Sequence, residues 1–342
     1  MAVDRKESPF AVNQAALPGD SAMTVLGPVP LDDLGVTLPH EHLFLDLWKE
    51  FGREGVFNDV ELAVSEVQDY VTAGGVTLVD LTPREMGRNP AQLAQVARRT
   101  GLNIIMGTSF YRHPYIDRDW FDRHSVDAVA AVLIEDLTAG ADGTGIRAGI
   151  IGEVASEREW ISATEERSFR AAARAHLATG ATITTHAACF PAGIPQLDLL
   201  ASEGVDERRV IVGHCDTVPD AEYHLALARR GAWIEFDTIR RTNEFELGLR
   251  VRFLSELADA GYLDRLLLSH DICLRRHLQA YGGSGYSFVV REFIPRLAAN
   301  GFTDADLHKL LVDNPRRALA RSVDAGGSSA ESAGFAEARG SR

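Results

Sequence analysis

Across residues 21–322 the sequence predicts one (β/α)₈ TIM barrel with a metal centre at the C-terminal ends of its strands. Three observations lead there. Short β-branched apolar runs recur eight times, a segment of helical periodicity separates each from the next, and most runs close on a polar or ionisable residue.

The runs are GVTLPHEH at 35–42, VTLVDLT at 76–82, LNIIMGT at 102–108 and AGIIGEV at 148–154. They continue with ATITTH at 181–186, RVIVGH at 209–214, AWIEFD at 232–237 and RLLLSHD at 265–271. Between them lie amphipathic pieces such as LAQVARRTG, FRAAARAHLATG and FLSELADAG, several ending on glycine, the residue that best accepts a left-handed helix cap. Strand–helix alternation implies right-handed crossovers and a parallel sheet. Near-continuous hydrophobic strands suit burial on both faces, as in a closed barrel. A doubly wound open sheet would carry a Gly-rich phosphate loop after a strand, and none is present.

The chain has 342 residues, long enough for one large barrel or two ordinary domains. No linker-like stretch divides it, which favours one. Residues 1–20 read as a flexible N-terminal segment and 323–342, rich in Gly, Ser and Ala, as a disordered tail. A formal net charge of −14 argues against nucleic-acid partners and anionic membranes. No apolar run approaches the roughly 20 residues of a membrane span. The N-terminus lacks the apolar core of a secretory signal. Three cysteines (Cys189, Cys215, Cys273) make no disulfide framework. Together these predict a cytoplasmic protein with a small-molecule substrate.

The strand ends carry the chemistry. His40 and His42 close the first run, Glu153 the fourth, His186 the fifth, His214 the sixth, Asp237 the seventh and Asp271 the eighth. Barrel strands converge at their C-terminal ends on the active-site mouth. Alternate strand residues share a face, so His40 and His42 can reach one ion. Four histidines and two carboxylates suit one or two borderline divalent ions, Zn²⁺ first, with Mn²⁺ or Co²⁺ as alternatives. Singly, each has an ordinary reading: a hydrogen-bonded core histidine, a paired buried acid, a helix cap. Six together at corresponding strand ends make coincidence a poor account.

At these residues the chain resembles the phosphotriesterase family of the amidohydrolase superfamily. The likeness runs from TVLGPVPLDDLGVTLPHEHLFLD through THAACFPAGIPQLDLL, RVIVGHCD and LLLSHDICLRRHLQAYGGSGY to LLVDNPRRAL, over roughly residues 24–320. The resemblance implies that His40, His42 and Asp271 hold the more buried of two metals and that His186 and His214 hold the second. It implies a bridging side chain and a shared hydroxide between them. Where well-known members carry a carbamylated lysine, AGIIGEVASE offers Glu153, as in the phosphotriesterase-related branch. A carboxylate has two oxygens and the same single negative charge, so it can bridge two metals without CO₂.

The resemblance further implies Asp271 as general base or proton shuttle, with Asp237 relaying the proton outward. Tyr111 in GTSFYRHPY resembles the aromatic residue that faces substrate in lactonase members. Arg240, Arg241, Arg275 and Arg276 follow the last two strands, where a substrate anion could be clamped bidentately; solvated loop charges are the plainer reading. Trp48 and Tyr281 read equally well as packing residues, and the cysteines as small buried fillers. The expected activity is hydrolysis of a small lactone, carboxylic ester or amide, with weak phosphotriesterase activity alongside and a homodimer as assembly. A mononuclear deaminase-like member and a non-catalytic small-molecule-binding barrel are the competing readings.

Overall fold

The computed structural model describes residues 20–321. The terminal segments read as tails, 1–20 and 323–342, lie outside the described residues apart from Asp20. All eight strands form where the apolar runs predict: β1 Val36–Glu41, β2 Gly75–Asp80, β3 Asn103–Thr108, β4 Ile150–Ala155, β5 Ile183–His186, β6 Val210–Gly213, β7 Trp233–Phe236 and β8 Leu266–Leu268. They pair in chain order, all parallel, in one eight-stranded sheet. The edges β1 and β8 are drawn together by the residue that follows β8. The Ser269 hydroxyl lies 2.7 Å from the His40 carbonyl and 3.1 Å from its amide, and the Asp271 amide donates to the same carbonyl at 3.2 Å. The sheet is a nearly closed barrel.

Seven helices return the chain between strands: α1 Val60–Thr72, α2 Pro90–Thr100, α3 Val126–Thr138, α4 Ala163–Thr179, α5 Gly193–Ser202, α6 Ala221–Arg229 and α7 Glu244–Asp259. An eighth, α8 Ile294–Ala299, extends a wider-pitched turn at Val289–Phe293. Their starts follow side-chain chemistry. Asp59, Asn89, Ser125, Asp220 and Asn243 each cap free amides of a first turn, and Ser162 with Glu165 forms a reciprocal capping box. The expected glycine stops are met at Gly101 and Gly180, with φ of 77° and 70°.

The strand period sorts the core. On β7, Ile234 and Phe236 pack outward into the helix layer, while Trp233 joins Val79, Ile105, Ile211 and Leu267 in a separate apolar cluster inside the barrel. The same inward column continues with Glu235 and Asp237, both fully buried. One face of one strand therefore climbs from an indole plug to two carboxylates. Phe236 is fully buried, and truncating it would cost about 3–5 kcal/mol.

Candidate metal centre

Glu153 occupies the middle of the site. Its Oε2 lies 2.9 Å from His186 Nδ1, 3.3 Å from His214 Nε2 and 3.7 Å from His40 Nε2; its Oε1 lies 3.8 Å from His42 Nε2. Asp271 Oδ1 approaches His42 Nε2 at 3.2 Å. Two donor sets of metal-binding size, His40/His42/Glu153 and Glu153/His186/His214, share the one carboxylate. The six strand-end residues thus come together from β1, β4, β5, β6 and β8. His40 and His42 reach the same carboxylate, as their spacing requires. His214 and Asp271 stand just past their strands with φ of 58° and 51°, a left-handed conformation that costs non-glycine residues about 1–2 kcal/mol. The His214 amide is held there by both oxygens of Asp237, at 3.0 Å each.

What lies behind the rings decides which nitrogens face inward. Asp237 accepts from Nδ1 of His40 and from Nδ1 of His214, each at 2.8 Å. The Thr82 hydroxyl donates to the Phe44 carbonyl at 3.0 Å and so accepts from His42 Nδ1 at 2.9 Å. Each of these imidazoles then keeps its proton outside and turns the Nε2 lone pair toward Glu153. His40 Nε2 is buried without a hydrogen-bond partner, and His214 Nε2 faces His186 Nδ1 at 2.7 Å. Lone pairs converging on a carboxylate repel unless positive charge stands between them. This donor set fits divalent cations of the Zn²⁺ type.

The titration behaviour expresses the same demand. Burial disfavours charged His40 and His214, yet Asp237 and Glu153 outweigh it and hold both well above the ordinary histidine value. Burial likewise opposes ionised Glu153, but His186 and His40 pull its carboxyl well below the usual range. Asp271, against burial, is brought down to about 2 by His42, His214 and Arg240.

Tyr111 stands at the edge of the cluster with its hydroxyl 3.2 Å from His186 Nδ1, and Arg112 lies over its ring at 5.2 Å. Arg112 in turn bonds Glu50 and Glu157, tying the loops after β1, β3 and β4 together. Arg240 is no loop charge: it bonds the Asp271 carbonyl, lies 3.6 Å from its carboxylate and contacts Cys273 and His277. Arg275 does not join the cluster; its Nε donates to the Val56 carbonyl at 2.7 Å. Arg241 pairs with Glu292 at the surface, as a solvated charge would. The filler reading of the cysteines holds for buried Cys215, is intermediate for Cys273 and fails for Cys189, which is exposed. Trp48 and Tyr281, 62% and 50% exposed, are not packing residues.

Sequence reasoning passed over Glu41 and His270, which sit between the candidate ligands of HEH and beside that of SHD. They point the opposite way, and alternation within each tripeptide was the available signal.

A barrel with this donor set at its mouth defines a metal-dependent hydrolase. The sequence profile of the Phosphotriesterase family matches residues 20–319, and the chain belongs to that family. A phosphotriesterase homology protein of Escherichia coli is 38% identical over 291 residues, covering 83% of this chain and 97% of its own. An N-acetyltaurine hydrolase of Dictyostelium discoideum is 31% identical over 274 residues, covering 77% and 74%. The solved structure of a lactonase from Listeria monocytogenes superimposes with a TM-score of 0.83 at 26% identity, over 88% of this chain and 99% of its own. Among the described residues no helix is long and apolar enough to cross a membrane.

Proposed function

We propose that the protein is a binuclear hydrolase, with two divalent cations per chain, Zn²⁺ first and Mn²⁺ or Co²⁺ as alternatives, that cleaves a small lactone, carboxylic ester or amide. The observation that carries this reading is the pair of donor sets sharing Glu153. His40, His42 and Asp271 would hold one cation, His186 and His214 the other, with Glu153 between them. When bound, such cations lower the pKa of water toward 7 and polarise a substrate oxygen.

The chain's own groups supply the rest. Asp271 is ionised at neutral pH and stands beside His42 at the open end of the cluster, where it can accept the proton of the attacking water. Arg240 fixes the Asp271 backbone and balances its charge. Asp237 has both oxygens committed to His40 and His214, so we assign it the orientation of those two rings, in place of an outward proton relay. The Tyr111 phenol, kept protonated by burial and by Glu153, can donate to the oxygen on which charge develops. A carbonyl substrate is favoured because the N-acetyltaurine hydrolase and the lactonase both bear names of carbonyl chemistry.

Metal analysis of the purified protein, followed by a screen of lactones, N-acyl amino acids, carboxylic esters and phosphotriesters, tests the proposal. Near two equivalents of metal with turnover of a carbonyl substrate is the expected result. One equivalent, or no turnover with the metals fully loaded, would overturn it.

A further inference from the structure

At the end of the barrel opposite the metal centre, a cavity of about 500 Å³ opens under the third and fourth strands. Its walls are the turn Met23–Gly27, Arg98 in the last turn of α2, and the segment Gly145–Arg147 that leads into β4. The Val25 amide donates to the Ile104 carbonyl at 2.9 Å, which pins the turn to the start of β3. Glu153 and His186 stand toward the far ends of β4 and β5. Barrel enzymes run their chemistry from those far ends, so a ligand held at this N-terminal face is not the substrate.

The charge of this cavity is out of keeping with a chain of net −14. Two guanidiniums line it and no carboxylate does. Among the described residues, neither Arg98 nor Arg147 makes a side-chain hydrogen bond or ion pair. Arg99, one residue on, shows the ordinary outcome for an exposed arginine, forking onto Glu61 at 2.6 and 2.8 Å. A third guanidinium adds to the imbalance. Arg321 has Nε and Nη2 buried without a partner, and burial together with the like charge of Arg147 brings its pKa down to about 10. Cations gathered without counter-charge repel one another and lose hydration on burial. An anion among them relieves both costs.

The lining also selects the kind of anion. A carboxylate carries one charge on two oxygens, which a single guanidinium fork already satisfies. A phosphate monoester carries close to two charges and three terminal oxygens, enough for Arg98 and Arg147 together. Met23, Val25, Leu26 and Ile146 supply apolar wall beside the cations, and Leu26 is 50% exposed. A space of about 500 Å³ falls within the range of small-molecule sites, roughly 300–1,000 Å³.

We propose that this cavity at the N-terminal face binds a phosphate group, free or carried on a small organic molecule, with Arg98 and Arg147 as its direct contacts. The site stands apart from the hydrolase reading, because no residue of the metal centre takes part in it.

Phenylphosphonate (a stand-in for a phosphate ester that cannot be hydrolysed), inorganic phosphate and benzoate are titrated calorimetrically at pH 8. The metal-loaded protein is compared with its Arg98→Gln/Arg147→Gln variant. These two side chains hold nothing else in the protein, so the fold is not at stake and turnover at the metal centre should be unchanged. Because phosphate also has affinity for metal ions, the site is read locally as well. Phenylglyoxal labelling of Arg98 and Arg147, mapped by peptide mass spectrometry, reports on these residues alone. The wild type should bind one more equivalent of phenylphosphonate than the variant, and this step should weaken with added NaCl. Saturating phenylphosphonate should slow the labelling of Arg147 at least fivefold, and benzoate at the same concentration should not. Tighter protection by phenylphosphonate than by inorganic phosphate supports the site with an organic phosphate as its ligand. Equal protection supports it with the free ion. The same stoichiometry in wild type and variant, unprotected labelling, or protection by benzoate equal to that by phenylphosphonate would overturn the proposal.

Discussion

Glu41 Oε1 lies 2.6 Å from His270 Nδ1, across the seam where the first and last barrel strands meet. The same carboxylate accepts from the Ser269 hydroxyl and from the amides of His270 and Ile272. His270 Nε2 in turn accepts from the Val289 amide at 2.9 Å. The tripeptides HEH and SHD thus do two jobs. His40, His42 and Asp271 face the candidate metal centre, and Glu41, Ser269 and His270 close the barrel that brings them together.

Removing the clasp strands several buried donors at once. Glu41→Ala should lower stability by about 3 kcal/mol or more, the cost of a buried charged acceptor lost from its partners. In a chain of this size that corresponds to a fall in Tm of roughly 5 °C or more. Thermal unfolding of the metal-loaded protein reads this directly. A shift under 2 °C would show that closure does not depend on the pair.

Asp237 fixes two rings with one carboxylate. Asp237→Asn replaces one acceptor by an amide that cannot accept from both Nδ1 protons, so His40 or His214 loses its orientation. Metal affinity should drop 10- to 100-fold, the range for outer carboxylate partners of ligating histidines. Competition with a chromophoric chelator measures it. Unchanged affinity would return Asp237 to a role beyond the rings.

Glu153→Gln keeps the size of the central side chain and removes its charge. At least one equivalent of metal and most activity should be lost, with the circular dichroism spectrum retained. Glu153→Lys in bicarbonate should recover part of both if a carbamate forms there. Normal metal content in Glu153→Gln would show that the residue does not bridge.

Glu85, in the turn after β2, has a buried Oε2 without a partner, and burial pushes its carboxyl up to about 7 against the pull of nearby amides and Arg84. The folded protein therefore binds a proton that the unfolded chain releases near pH 4.5. Stability from this group is present at low pH and falls as pH rises toward 7, by at most about 3 kcal/mol. Glu85→Gln should remove that slope. The Tm difference between variant and wild type should favour the variant more at pH 8 than at pH 5, and an equal difference at both would refute it.

Much of this was legible because barrel strands advertise themselves. Runs covered on both faces are apolar throughout, and their last residues must be polar where they meet solvent at the mouth. The pattern of the sequence alone therefore groups His40, His42, Glu153, His186, His214 and Asp271 at one end of the barrel. The clasp was hidden because Glu41 and His270 are 229 residues apart, and their pairing depends on the register of β8 against β1, which no local pattern records. Arg275 and Arg240 illustrate the same limit. Both follow strand ends, but the first is spent on the Val56 carbonyl and the second on Asp271. Loop paths chose between them.

The final prediction concerns the reacting carbon. The Tyr111 phenol, 3.2 Å from His186 Nδ1 and 4% exposed, has its pKa raised well above the ordinary value by burial and then by Glu153, so it is a donor at every working pH. A carbonyl under attack gathers charge on one oxygen, which one cation and one phenol can satisfy. A phosphotriester gathers charge within a bulkier trigonal bipyramid that needs three roomy subsites, and Tyr111, Tyr115 and Arg112 crowd this side of the cluster. The best lactone, ester or amide should therefore exceed paraoxon-type triesters in kcat/KM by at least tenfold, about 1.4 kcal/mol in transition-state binding. Tyr111→Phe should lower kcat on the carbonyl substrate by roughly 10²-fold, the scale of one lost oxyanion donor, with metal content unchanged. Both substrate classes measured on one metal-loaded preparation decide the matter, and a preference for the phosphotriester would reverse the assignment.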